Sequence, residues 1–242
     1  MSVPDIRTLY EVVEATWPAA RVIETPNWTL RDGAGGGKRV SAATARGEIA
    51  PQDVAEAATA MRDMGQAPLF MLRMGEEALD GLLADLGYEV IDPVNLWACP
   101  VAALTAERPP HLTTFHIWEP MAIQRDIWAA GGIGADRVAV MERSSCPRTS
   151  LFGRAGDRPA ATGYVAIHAR IAMVHALEVL AAHRRRSMGR HLMIEAALWA
   201  EAQGAGHLSV VCTKANAAAN GLYASLGLTL VGDYHYRIQK DA

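Results

Sequence analysis

The chain has 242 residues, half of them hydrophobic and 20% charged, which is ample for a sizeable core and too apolar for a disordered segment. Its net charge of -3 speaks against a dedicated nucleic-acid binder, which concentrates basic residues in its domain. Cys99, Cys146 and Cys212 are odd in number and lack CxxC spacing, so neither a zinc site nor a disulfide framework is expected.

The opening residues, MSVPDIRTLYEVVEA, are acidic and amphipathic, unlike the basic stretch and apolar run of a signal peptide. No apolar run approaches bilayer length, so a soluble, cytoplasmic protein is expected, with no membrane or nucleic-acid partner. Apolar spacing predicts helices over Thr8 to Ala19 and Pro51 to Met64. Between them, GAGGGKR lacks the phosphate-loop spacing: Asp32 stands five before Gly37, and Arg39 occupies the place of the magnesium-binding Ser or Thr. It reads as a glycine-rich hairpin turn. A strand over 68–73, a helix from Glu76 to Leu86 and the strand-rich YEVIDPVNLWACPV follow.

The proline-containing stretch from Thr105 to Thr113 reads as a linker, dividing the chain into residues 1–108 and 109–242. Beyond it come a helix from Ile123 to Ala130 and strands at Ser150 to Gly153, Thr162 to His168 and Ala172 to Leu180. In the helix predicted over Met188 to Gln203, Met188, Leu192, Ala196 and Trp199 share one face and Gly204 can end it. The strand LSVVCT, a helix from Ala217 to Leu226 and a final strand around Leu228 to Ile238 complete the chain. Leu82 to Tyr88 lies over Leu222 to Leu228 at a constant offset of 140, with four identities in seven positions, which points to a duplicated unit. The first copy lacks both the arginine–glycine stretch and the tyrosine at 223.

HRRRSMGRHL, residues 183–192, carries the chemistry. A strand ends near Leu180 and a helix begins around Ser187 to Gly189. A helix N-terminus offers unpaired N–H groups and a positive dipole end, and Gly189 and small Ser187 allow close approach of a phosphate. Flanking arginines add charge.

This pattern resembles the acyl-CoA pyrophosphate loop of the GNAT N-acetyltransferase superfamily: Gln or Arg, two residues, Gly, one residue, Gly or Ala. Here it reads Arg184-Arg185-Arg186-Ser187-Met188-Gly189, with Ser187 in place of the first glycine. The family's later motif is matched by Asn216, Ala219, Leu222-Tyr223 and Leu226-Gly227-Leu228, where Leu228 replaces a Phe. The N-terminal Trp28 to Ala42 region is similar to the opening of two-lobed members.

The resemblance implies an α/β (α+β) fold with a central mixed, mostly antiparallel sheet flanked by helices. It implies a degenerate GNAT-like lobe over 1–108 and a catalytic lobe over 109–242. The backbone of Arg185, Arg186, Ser187, Met188, Gly189 and Arg190, assisted by Arg184, would hold pyrophosphate, and Leu177, Glu178 and Val179 would hold pantetheine. Asn216 would contact the cofactor or cap its helix. Tyr223 would donate a proton to the departing thiolate, and Glu178 is the first candidate base. The expected function is direct transfer from acetyl-CoA to a primary amine of a small-molecule acceptor, by a monomer or homodimer and without metal. The alternative is a non-catalytic acyl-CoA-binding module. His168, His175, Trp28 and Trp118 are further candidates for the acceptor side, against the simpler reading of strand histidines and core tryptophans.

Overall fold

The computed structural model describes residues 3–239. In chain order its elements begin with α1 (Ile6–Thr16), β1 (Arg21–Glu24), β2 (Trp28–Asp32), α2 (Lys38–Ser41), β3 (Thr44–Ala45), α3 (Pro51–Asp63), β4 (Leu69–Arg73) and α4 (Glu77–Asp85). They continue with β5 (Glu89–Pro100), α5 (Ala102–Thr105), β6 (Thr114–Ile117), α6 (Ala122–Ala130), α7 (Ala135–Arg143), β7 (Arg148–Ala155), β8 (Arg158–His168) and β9 (Ile171–Val179). A single 3-10 turn, Ala181–His183, leads to α8 (Met188–Ala202), β10 (His207–Thr213), α9 (Ala217–Ser225) and β11 (Thr229–Ile238). Among the described residues, no helix is long and apolar enough to cross a membrane.

The chain forms two compact units. The first contains residues up to 18, 96–212 and 216–231; the second contains 19–95, 213–215 and the residues from 232 onward. Strands β5 and β11 contribute to both.

In the first unit the sheet order is β5–β10–β9–β8–β7–β6. The pairs β6–β7, β7–β8 and β8–β9 are antiparallel and β9–β10 is parallel, so the sheet is mixed. Strand alternation sorts its two faces. Leu151, Val165 and Val174 join Leu192, Met193, Ala196 and Ala197 of α8 in one core. On the opposite face α1 brings Trp17 edge-on to Tyr164 at 6.0 Å. Helix α1 starts at Ile6, two residues before the sequence pattern places it, with Asp5 as its N-cap accepting the Thr8 N–H at 2.9 Å. TAERPPHLT runs from the end of α5 to the start of β6 and lies within this unit.

The second unit combines β4–β11–β5 with the small sheet β1–β2–β3. Its core gathers Trp28, Phe70, Leu72, Leu79, Leu83 and Tyr88. Gly33 to Gly37 do form a turn, the Gly36 N–H donating to the Gly33 carbonyl at 2.9 Å, but it is only part of the link between its two strands. Gly37 is the N-cap of α2, and the whole stretch lies inside the longer connection between antiparallel β2 and β3. The positive φ of Gly35 and Gly37 is what the glycines supply there.

Asp80 on α4 accepts from Arg237 Nε at 2.6 Å and lies 2.7 Å from His235 Nε2. The Arg237 bond, then that from His235, holds this carboxyl below its ordinary range. A carboxyl depressed by folding stabilises the protein above its unfolded pKa, near 4, and loses that contribution as pH falls. Asp80→Asn is therefore expected to flatten the acid limb of a urea-denaturation series below about pH 4.

The 140-residue offset holds in the backbone. Helix α4 spans 77–85 and α9 spans 217–225; β5 starts at 89 and β11 at 229. Both helices stop by the same bonds. Leu86, Gly87 and Tyr88 donate to Leu82, Ala84 and Leu83, while Leu226, Gly227 and Leu228 donate to Leu222, Ala224 and Tyr223. Gly87 and Gly227 share positive φ, 84° and 79°, the glycine-assisted ending expected of such a helix stop. Leu83 stands where Tyr223 does.

Candidate active site

The site lies wholly in the first unit, where β9 outruns its neighbour. The last registered pair between β9 and β10 is Val174 with Val210, yet β9 continues to Val179. On its other side β9 stays paired with β8, Thr162 opposite Glu178 and Ala161 opposite Val179. The register slips between Thr162 and Tyr164, and Ala176 takes φ 50°, a left-handed bulge on a non-glycine residue. Leu177, Glu178 and Val179 thus form a strand segment with one edge open.

Helix α6 fixes that bulge. Trp128, fully buried, donates its indole N–H to the Ala176 carbonyl at 2.8 Å. Gly131, at the end of α6, lies against the Glu178 side chain; a Cβ there would come within 2.6 Å of the carboxylate. Gln124, also fully buried, reaches Ser150 Oγ, the Leu151 carbonyl and Thr162 Oγ1 at 2.9 to 3.2 Å. None of these three carries a sequence signal, because a buried glutamine or tryptophan on an amphipathic helix reads as a spacer or core residue.

From Val179 the chain passes through the 3-10 turn into the arginine run. Arg185 and Ser187 both have φ 60°, and Ser187 is the N-cap of α8 in left-handed geometry, making no side-chain capping bond. The serine stands at the position where the motif carries glycine, and the backbone geometry supplies the reason: a side chain there costs roughly 1 kcal/mol. Ser187→Gly is expected to raise stability by about 0.5 kcal/mol, less than the full relief because glycine also gains unfolded-state entropy; a chemical-denaturation midpoint checks it.

The arginines divide by partner. Arg184 Nε donates to the Val179 carbonyl at 2.9 Å and its Nη2 to Glu178 Oε1 at 3.1 Å. Arg190 Nη2 bonds both carboxylate oxygens of Glu107 at 2.6 and 2.7 Å. Arg185 and Arg186 are exposed beside the N-terminus of α8. Met188 is buried in the core. A Cβ on Gly189 would meet Leu222 Cδ2 at 3.0 Å, so this glycine also permits the close approach of α8 to α9. His191, one turn into α8, has its pKa lowered by burial and by Arg190.

Asn216 caps α9, its Oδ1 accepting the Ala219 N–H at 3.1 Å. Tyr223, one face along, is 3% exposed, and no side-chain bond of its hydroxyl occurs among the described residues. Burial, with a smaller contribution from Cys212, pushes its phenol well above the ordinary value. Burial also pushes the Cys212 thiol up to about 11. At pH 7 only about one molecule in 10⁴ would carry that thiolate, so Cys212 is a poor nucleophile. Asn220 bridges nearby, accepting from Trp97 Nε1 at 3.0 Å and approaching Cys212 Sγ at 3.8 Å.

The remaining candidates do not join this group. His175 is buried, 2.9 Å from Thr16 Oγ1 and packed on Trp17 with ring centroids 5.0 Å apart. His168 is exposed at the end of β8. Trp118 packs beside Tyr164 with the Arg148 guanidinium 4.6 Å from its ring, and Trp28 belongs to the core of the second unit. Among the described residues, no group of three or more His, Cys, Asp or Glu could hold a metal ion.

A strand with an open edge, a left-handed turn and a helix N-terminus in succession is the arrangement the motif implies. The model of the acetyltransferase (GNAT) family matches residues 119–228, and this stretch is a GNAT-family domain. The fold agrees with solved structures. A GCN5-related N-acetyltransferase from Kribbella flavida superposes with a TM-score of 0.74 at 19% identity, over 98% of this chain and 97% of that one. A tandem GNAT protein from the clavulanic acid biosynthesis pathway gives 0.62 at 10% identity, over 97% and 88%. In sequence, the chain is 24% identical to the Bacillus subtilis protein named uncharacterized N-acetyltransferase YobR, over 98% of this chain and 99% of that protein.

Proposed function

We propose that the protein transfers an acetyl group from acetyl-CoA directly to a primary amine of a small-molecule acceptor. One observation carries the reading: β9 runs five residues past its last partner on β10 and leads straight to the left-handed turn and N-terminus of α8. The open backbone at Leu177 to Val179 fits an amide-bearing arm added as a strand. Unpaired N–H groups from Arg185 to Gly189, with Arg185 and Arg186 beside them, fit a diphosphate. Acetyl-CoA supplies an activated thioester.

The rest is work for this chain's residues. Tyr223 stays protonated and would give a proton to a departing thiolate, whose charge the same dry surroundings disfavour. Glu178, 19% exposed, would take the acceptor's proton. Cys212, held neutral, argues against an acyl-cysteine route, so Cys212→Ser is expected to retain turnover within about threefold. We place residues 1–108 as a degenerate sister lobe of 109–242, on the shared helix endings of α4 and α9. We propose a cytoplasmic protein, monomeric or dimeric.

Calorimetric titration with acetyl-CoA, followed by thiol release across a panel of amines, tests the proposal. Binding with amine-dependent release supports it. No binding at millimolar concentration would sink it, and binding without release from any amine would identify a non-catalytic acyl-CoA module.

A further inference from the structure

The first arginine of the motif, although its side chain is 61% exposed, bonds back to the strand. The peptide between Val179 and Leu180 is oriented by the Leu180 N–H, which bonds the Ala160 carbonyl of β8 at 2.9 Å. The Val179 carbonyl at the other end of that peptide therefore points away from β8, into the side where β9 has left β10 behind. Arg184 fills this direction: its Nε donates to that carbonyl and its Nη2 to Glu178. The carboxylate is confined on its far side by Gly131. One guanidinium thus holds both the open strand edge and the candidate base.

We propose that Arg184 is a positioning residue that competes with the acyl-CoA arm for the β9 edge and couples its arrival to the release of Glu178. This rests on the acyl-CoA reading above. An added strand must use the same edge carbonyl, so entry of the arm swings Arg184 away. The Glu178 carboxylate then exchanges a guanidinium for the incoming ammonium of the acceptor. The exchange imposes an order: cofactor first, amine second. It also separates Arg184 from Arg185 and Arg186, which the same motif would group as phosphate ligands. All three are exposed, but Arg185 and Arg186 lie next to the α8 N-terminus, whereas the Arg184 side chain is turned back onto β9.

The test is calorimetric titration of coenzyme A into the full chain carrying Arg184→Met, which keeps the aliphatic stem and removes both donated bonds, with Arg185→Met alongside. The expected result is tighter binding for Arg184→Met, by about threefold to tenfold, and weaker binding for Arg185→Met. With an amine that supports turnover, KM for acetyl-CoA of Arg184→Met should fall and the two-substrate kinetics should change from ordered to random, a change that mere loosening of the loop would not produce. Unchanged or weaker coenzyme A binding by Arg184→Met, in a wild type that binds, overturns the coupling and leaves the acyl-CoA reading standing. Failure of the wild type itself to bind overturns both, and the two failures are told apart by the wild-type titration alone.

Discussion

Tyr223→Phe is expected to lower kcat by about 10²- to 10³-fold while coenzyme A affinity stays within about twofold. The substitution removes one oxygen from a side chain 3% exposed, and that oxygen supports no other bond among the described residues. Loss of turnover would therefore report proton donation and not a collapsed helix, and the thermal midpoint should move little. Because burial raises the phenol above its ordinary value near 10, the wild-type rate should show no alkaline fall due to this group below pH 10. Steady-state rates of thiol release across pH check both points. An unchanged rate in the phenylalanine variant removes Tyr223 from the chemistry.

The largest loss of stability is expected at Trp128. Trp128→Ala empties a fully buried indole site and should cost about 3–5 kcal/mol. It also leaves the Ala176 carbonyl without its donor, at the point where β9 adopts a left-handed bulge. Trp128→Phe separates the two contributions. It preserves most of the packing and loses the bond, for about 1–3 kcal/mol. Urea denaturation measures the cost. If the bulge sets the open edge of β9, coenzyme A affinity should fall in Trp128→Phe even where the protein remains folded. A phenylalanine variant that binds normally would show that the sheet alone holds the bulge.

Much of the first unit is legible because its signals are local. The 3.6-residue periodicity from Met188, with Gly204 beyond, yields α8 to within one residue. The run of apolar residues after His168 yields β9, and Asn216 with the Leu-Gly ending yields α9 and its stop. The left-handed Ser187 shows why a glycine is usual at that position. Short elements are less legible. Strands β1 and β6 have four residues each, and α5 four, too few for a period to repeat. The glycine-rich stretch revealed its turn but not the short α2 after it, because glycine marks positive φ without saying whether a strand or a helix follows.

The sequence by itself determined most of the longer elements and the place where a helix N-terminus follows a strand. These follow from period, capping and turn chemistry, which act over a few neighbouring residues. Only the tertiary structure decided what the charged groups face. The four arginines read alike as a run, yet Arg184 serves Val179 and Glu178, Arg190 serves Glu107 across 83 positions, and Arg185 and Arg186 face solvent. Trp128 likewise reaches across 48 positions to hold one carbonyl. Long side chains choose partners by the direction of the backbone that carries them and by what the sheet brings within 3 Å, and neither is written in the spacing of residues along the chain.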